Sequence, residues 1–107
     1  MKHSLLILGF LSFLTFACNP QPTGLRIENK IVEASCGQCQ FGLKAKKPGC
    51  DLAVRIDGKA YFVDGTRIDD HGDAHGPDGF CNRVRRALVT GRIVKGRFFA
   101  ESFKLLP

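Results

Sequence analysis

The sequence predicts a mainly β protein, a five-stranded OB-like small barrel with one short helix between strands 3 and 4. Three observations carry this reading. Apolar residues alternate with polar ones in several short segments, turn dipeptides separate those segments, and the element order reads β, β, β, α, β, β. The chain has 107 residues, 44% apolar and 24% charged, which fits one globular domain. A large multidomain enzyme, a multi-span membrane protein and a coiled coil are excluded.

The N-terminal residues set the expected compartment. Met1-Lys2-His3 is a short positive start, and an apolar run of 12 residues from Leu5 to Phe16 follows. A membrane-spanning helix needs roughly 20 apolar residues, so this run has the length of a secretory signal instead. Thr15-Phe16-Ala17-Cys18 resembles the lipobox of bacterial lipoproteins, in which a small residue precedes a cysteine that becomes lipidated. Thr15 stands where that motif usually has leucine. The resemblance implies cleavage after residue 17 and a lipid on Cys18; ordinary cleavage near Ala17, leaving a spare thiol, is the alternative. Asn19 to Gly24 is polar and rich in Pro and Gly, a tether rather than a packed segment. The expected division is a signal peptide over 1–17, an anchor and tether over 18–24, and the barrel over 25–107. The expected place is the bacterial cell envelope, on the periplasmic or surface side, with the membrane as partner through the anchor.

Within the barrel, Lys30 to Ala34 is a β-branched run that ends at Cys36-Gly37-Gln38-Cys39. Phe41 to Gly49 is Lys- and Gly-rich without a period, hence a loop with room for one helical turn. Leu52, Val54 and Ile56 alternate with Ala53, Arg55 and Asp57 as in a half-buried strand. Asp57-Gly58 suits the positive φ of a type I′ turn, and Ala60 to Val63 returns. Residues 66–79 form a polar loop. Asp78 to Ala87 then reads as a short helix, with Asp78 as cap and Phe80, Cys81 and Val84 facing inward. Leu88 to Val94 and Arg97 to Leu105 are strands joined at Lys95-Gly96, and Gly91 marks a bulge or bend. An SH3-like barrel and a ferredoxin-like sandwich compete; the latter needs a second substantial helix, which the sequence lacks.

Cys36 to Cys39, Gly49 to Leu52 (GCDL), Asp70 to His75 (DHGDAH) and Gly79 to Cys81 (GFC) together resemble a group of small exported bacterial proteins of unknown function. That resemblance covers most of residues 30–107 and implies no activity.

With Cys18 assigned to the anchor, Cys36, Cys39, Cys50 and Cys81 remain. An even number in a small exported domain favours two disulfides stapling one rim of the barrel. The alternative is a metal site, in which the CxxC thiolates, Cys50 or Cys81 and an imidazole from His71 or His75 hold Zn or Cu. A weaker reading is thiol–disulfide redox chemistry at Cys36 and Cys39, which needs a following helix that Gly42, Pro48 and Gly49 leave little room for. Gln40 stands where covalent haem attachment needs a histidine.

The formal charge is +6, with Lys44, Lys46 and Lys47 in one loop and Arg83, Arg85 and Arg86 on the expected helix. Tyr61, Phe62, Phe98 and Phe99 are candidates for an aromatic ligand face, although phenylalanines alternating through strands are usually core. Besides the membrane, the alternative partners are an anionic ligand or an envelope protein, and export argues against nucleic acid. No Ser/His/Asp order, phosphate loop or acid–base carboxylate pair stands out, so the sequence points to a binding or structural module rather than an enzyme.

Overall fold

A computed structural model describes Gly9 and residues 24–107. Apart from Gly9, the expected signal peptide, the Cys18 anchor and the tether up to residue 23 lie outside the described residues. Five strands form the body: β1 (Leu25–Cys36), β2 (Leu52–Ile56), β3 (Lys59–Asp64), β4 (Arg85–Val94) and β5 (Arg97–Leu105). They close a barrel in the order β1-β2-β3-β5-β4. Neighbours are antiparallel except β3 with β5, which run parallel. This is the OB-like order that the sequence predicts.

Local chemistry accounts for the turns. Asp57 and Gly58 have φ of 49° and 85°, and Lys95 and Gly96 have 49° and 76°, as two-residue type I′ hairpins require. At Gly91 the β4–β5 register shifts, and an added Cβ would collide with the carbonyl of Phe99. β1 is longer than its β-branched run because the strand continues through an irregularity between Ile27 and Lys30. There Asn29 takes φ of 45° and its N–H donates to Thr90 Oγ1 at 2.9 Å.

The helical pieces lie elsewhere than expected. No helix forms over Asp78 to Ala87. Turn hydrogen bonds from Gly79 to the Gly76 carbonyl (2.9 Å) and from Asn82 to the Gly79 carbonyl (3.0 Å) break the periodicity. Arg85, Arg86 and Ala87 are instead drawn into β4 by pairing with Ala34, Glu33 and Val32 of β1. The helical segments are α1 (Gly37–Gln40), directly after β1, and a 3-10 turn (Ile68–His71) between β3 and β4.

The core fills the barrel with Val32, Ala34, Leu52, Val54, Val89 and Phe98 among others. The β3–β4 connection adds Ile68, Ala74 and Phe80 to the same cluster, closing one end as the expected helix would have done. Burying a side chain of Phe80's size contributes about 1.5–3 kcal/mol, which helps to hold this otherwise irregular connection in place. Among the described residues, no helix is long and apolar enough to cross a membrane.

Candidate metal centre

The rim of the barrel brings three chain segments together. Cys36 ends β1 opposite Leu52, is fully buried, and its N–H donates to the Phe80 carbonyl at 3.1 Å. The chain turns at once into α1, and Cys36 Sγ caps it by accepting the Cys39 N–H at 3.3 Å. Gly37 is needed for this turn: a Cβ would stand 2.5 Å from the Phe62 ring and 3.0 Å from Ala53 Cβ. Its N–H donates to the Asp51 carbonyl at 2.8 Å, so α1 is fixed against the start of β2. Cys50 immediately precedes that point, and Cys81 follows the buried Phe80 with its N–H on the Ala74 carbonyl at 3.0 Å.

Polar side chains brace these segments. Gln38 accepts the Asp51 N–H at 2.9 Å and donates Nε2–H to the Asp51 carboxylate at 2.6 Å. Gln40 donates to the Cys81 carbonyl at 2.9 Å. The buried Ser35 hydroxyl shares its hydrogen between the carbonyls of Phe80 (2.6 Å) and Arg83 (2.7 Å), holding the Cys81 segment against β1. Sequence reasoning missed all three braces. Gln38 stands within the CxxC segment and Gln40 directly after it, but only the tertiary structure shows what they reach.

The result is one compact group of sulfurs. Cys50 Sγ lies 3.4 Å from Cys39 Sγ and 3.1 Å from Cys81 Sγ, and the four sulfurs are all within 4.8 Å of one another. The structure brings all four thiols into a single group, each of them unbonded to another sulfur. Cys39 is exposed, while Cys50 and Cys81 are half-buried.

The electrostatics follow from this crowding. Burial opposes ionisation of Cys36, yet hydrogen bonds from the Cys39 thiol, the Cys39 and Gln38 N–H groups and the Cys50 thiol outweigh it, so its pKa falls below the ordinary thiol value. Bonding to Cys36 and then to Cys50 pushes Cys39 up to about 12. Cys50 is pushed up to about 11, chiefly by Cys81, and burial raises Cys81. Negative charge is favoured at Cys36 and resisted at the other three thiols, a resistance that a cation among the sulfurs would reverse.

The residues present fit such a cation. Zn–S bonds of about 2.3 Å in a tetrahedron place the sulfurs about 3.8 Å apart, within the span of the observed separations. The donor set is all sulfur, the chemistry of a structural zinc site or another thiophilic ion.

The histidines are not part of the group. His71 packs on Phe80 and Phe103, with ring centroids 6.1 Å and 4.5 Å away, and Nε2 is 2.9 Å from Thr66 Oγ1. Burial lowers its pKa. His75 is exposed in a loop where its N–H donates to the Asp73 carboxylate at 3.0 Å. One of the two is a candidate ligand in the metal reading of the sequence. Nor do the four candidate aromatics make one ligand face. Phe98 is fully buried and Tyr61 packs against the core. Phe62 lies beside Gly37 under the Arg97 guanidinium, and Phe99 is exposed opposite Arg92 on β4.

No curated protein and no solved structure matches the chain. Residues 30–106, which include all four clustered cysteines, match the model of DUF6370, a family of unknown function, and the chain belongs to that family.

Proposed function

We propose that this protein is a zinc-binding envelope module, in which Cys36, Cys39, Cys50 and Cys81 hold one Zn²⁺ as thiolates and the ion clasps the barrel rim. The single observation that carries this reading is the convergence of four sulfurs, all within 4.8 Å, from three separate segments. Two of those segments, around Cys50 and Cys81, have no regular secondary structure, so an ion shared between them supplies order that the ladders do not. A folded unit of roughly 80 residues benefits from such a cross-link. Redox catalysis at the CxxC is disfavoured, because α1 has four residues and Cys36 is fully buried. The apolar run before Cys18 and the lipobox resemblance support export and anchoring to a membrane.

The test is elemental analysis and native mass measurement of protein purified without chelator. One zinc per chain is expected, lost in Cys36→Ser and in Cys81→Ser. Copper in that stoichiometry would reassign the ion, and no metal above background would overturn the reading. Intact mass of the mature protein reads the anchor, as a lipid increment on Cys18.

A further inference from the structure

We propose that the four-thiol centre is also an oxidant-sensitive switch with Cys50 as its pivot: a peroxide-class oxidant joins Cys50 to Cys39 or Cys81 and thereby expels the zinc. The proposal rests on the metal reading above and adds its regulation.

The placement of the sulfurs carries it. Cys50 makes two close sulfur contacts, 3.4 Å to Cys39 and 3.1 Å to Cys81. It belongs to no strand, and it follows Gly49, whose φ is 154° and where an added Cβ would meet nothing within 4 Å. Small backbone rotations there can bring the sulfurs to bonding distance. Cys36 is held in the opposite condition: fully buried, paired with Leu52 in the ladder, and bonded through its N–H to Phe80. An oxidant arriving from solvent meets Cys39 first, because it alone among the four is exposed.

The chemistry balances in two steps. The Cys39 thiolate attacks the terminal oxygen of the peroxide, an S–O bond forms and the O–O bond breaks, leaving a sulfenic acid and an alcohol or water. The Cys50 thiolate then attacks that sulfur, an S–S bond forms, and the oxygen departs as water with the proton it needs. Starting at Cys50, Cys39 or Cys81 resolves the intermediate by the same route. Two electrons pass from sulfur to the peroxide. Two of the four thiolates are then spent, and the remaining pair cannot complete a tetrahedral zinc shell.

The experiment treats the zinc-loaded and metal-free full-length chain with limiting hydrogen peroxide. A chromogenic chelator reads zinc release, and peptide mapping without reduction reads the first disulfide. One zinc released per disulfide is expected, every first disulfide should contain Cys50, and a dithiol reductant should restore zinc binding. Cys50→Ser should remove the early disulfide, whereas metal-free Cys36→Ser should keep it. A first disulfide between Cys36 and Cys39, or zinc retained after a disulfide has formed, would overturn the switch alone. A chain that binds no zinc would overturn the metal reading, and the release step with it.

Discussion

Replacing Ser35 by alanine removes one oxygen and tests how the rim is built. That hydroxyl is buried between the carbonyls of Phe80 and Arg83, at 2.6 Å and 2.7 Å. Phe80 retains the Cys36 N–H at 3.1 Å, so the Arg83 carbonyl bears most of the loss. The bond to the Arg83 carbonyl is part-buried, and losing it costs about 0.5–1.5 kcal/mol. For a domain of this size each kcal/mol lowers Tm by about 4–8 °C, so a fall of about 2–12 °C is expected. Thermal unfolding of the metal-free, reduced chain by circular dichroism measures it. The same variant should bind zinc about tenfold more weakly in a competition titration, because the segment that carries Cys81 loses its brace. A Tm within about 2 °C of the parent, with unchanged zinc affinity, would refute the idea that Ser35 holds that segment.

Gln38→Leu and Gln40→Leu should each weaken zinc about 3–10-fold, by freeing Asp51 beside Cys50 and the Cys81 carbonyl respectively, with small effects on Tm. Gly37→Val should lower both Tm and zinc affinity, since the added methyls meet Phe62 and Ala53; an unchanged melting curve would contradict the packing. Zinc uptake should release protons, because Cys39 near 12 and Cys50 near 11 hold theirs at neutral pH and Cys81 is raised as well. Affinity therefore climbs as pH rises and zinc is lost on acidification, with about three to four protons released per ion. Calorimetry in buffers of different protonation enthalpy counts them, and fewer than two would contradict the protonation pattern.

The parts of the fold legible in the sequence are those fixed by neighbours along the chain. Asp57-Gly58 and Lys95-Gly96 specify their hairpins, and Gly91 announces its bulge, because each depends on local backbone conformation. The misplaced helix shows the limit. Asp78 and the spacing of Phe80, Cys81 and Val84 imitate a capped amphipathic helix, but long-range pairing of Arg85 to Ala87 with β1 outweighs that local pattern. β1 begins earlier than its apolar run because Arg26 and Glu28 lie on the outer face, where Arg26 pairs with Glu28 and Glu101. At the site, the strand order puts the ends that carry Cys36 and Cys50 beside each other. Whether the Cys81 sulfur joins them depends on contacts such as Ser35 to Phe80, 45 residues apart, which no local pattern encodes. Spacing likewise suggested His71 as a ligand, whereas its packing on Phe103 directs it elsewhere.

The most direct measurement is X-ray absorption at the zinc edge on protein purified without chelator. The account predicts a shell of four sulfur scatterers at about 2.3 Å and no nitrogen. A mixed nitrogen–oxygen shell, or no zinc signal, would contradict it.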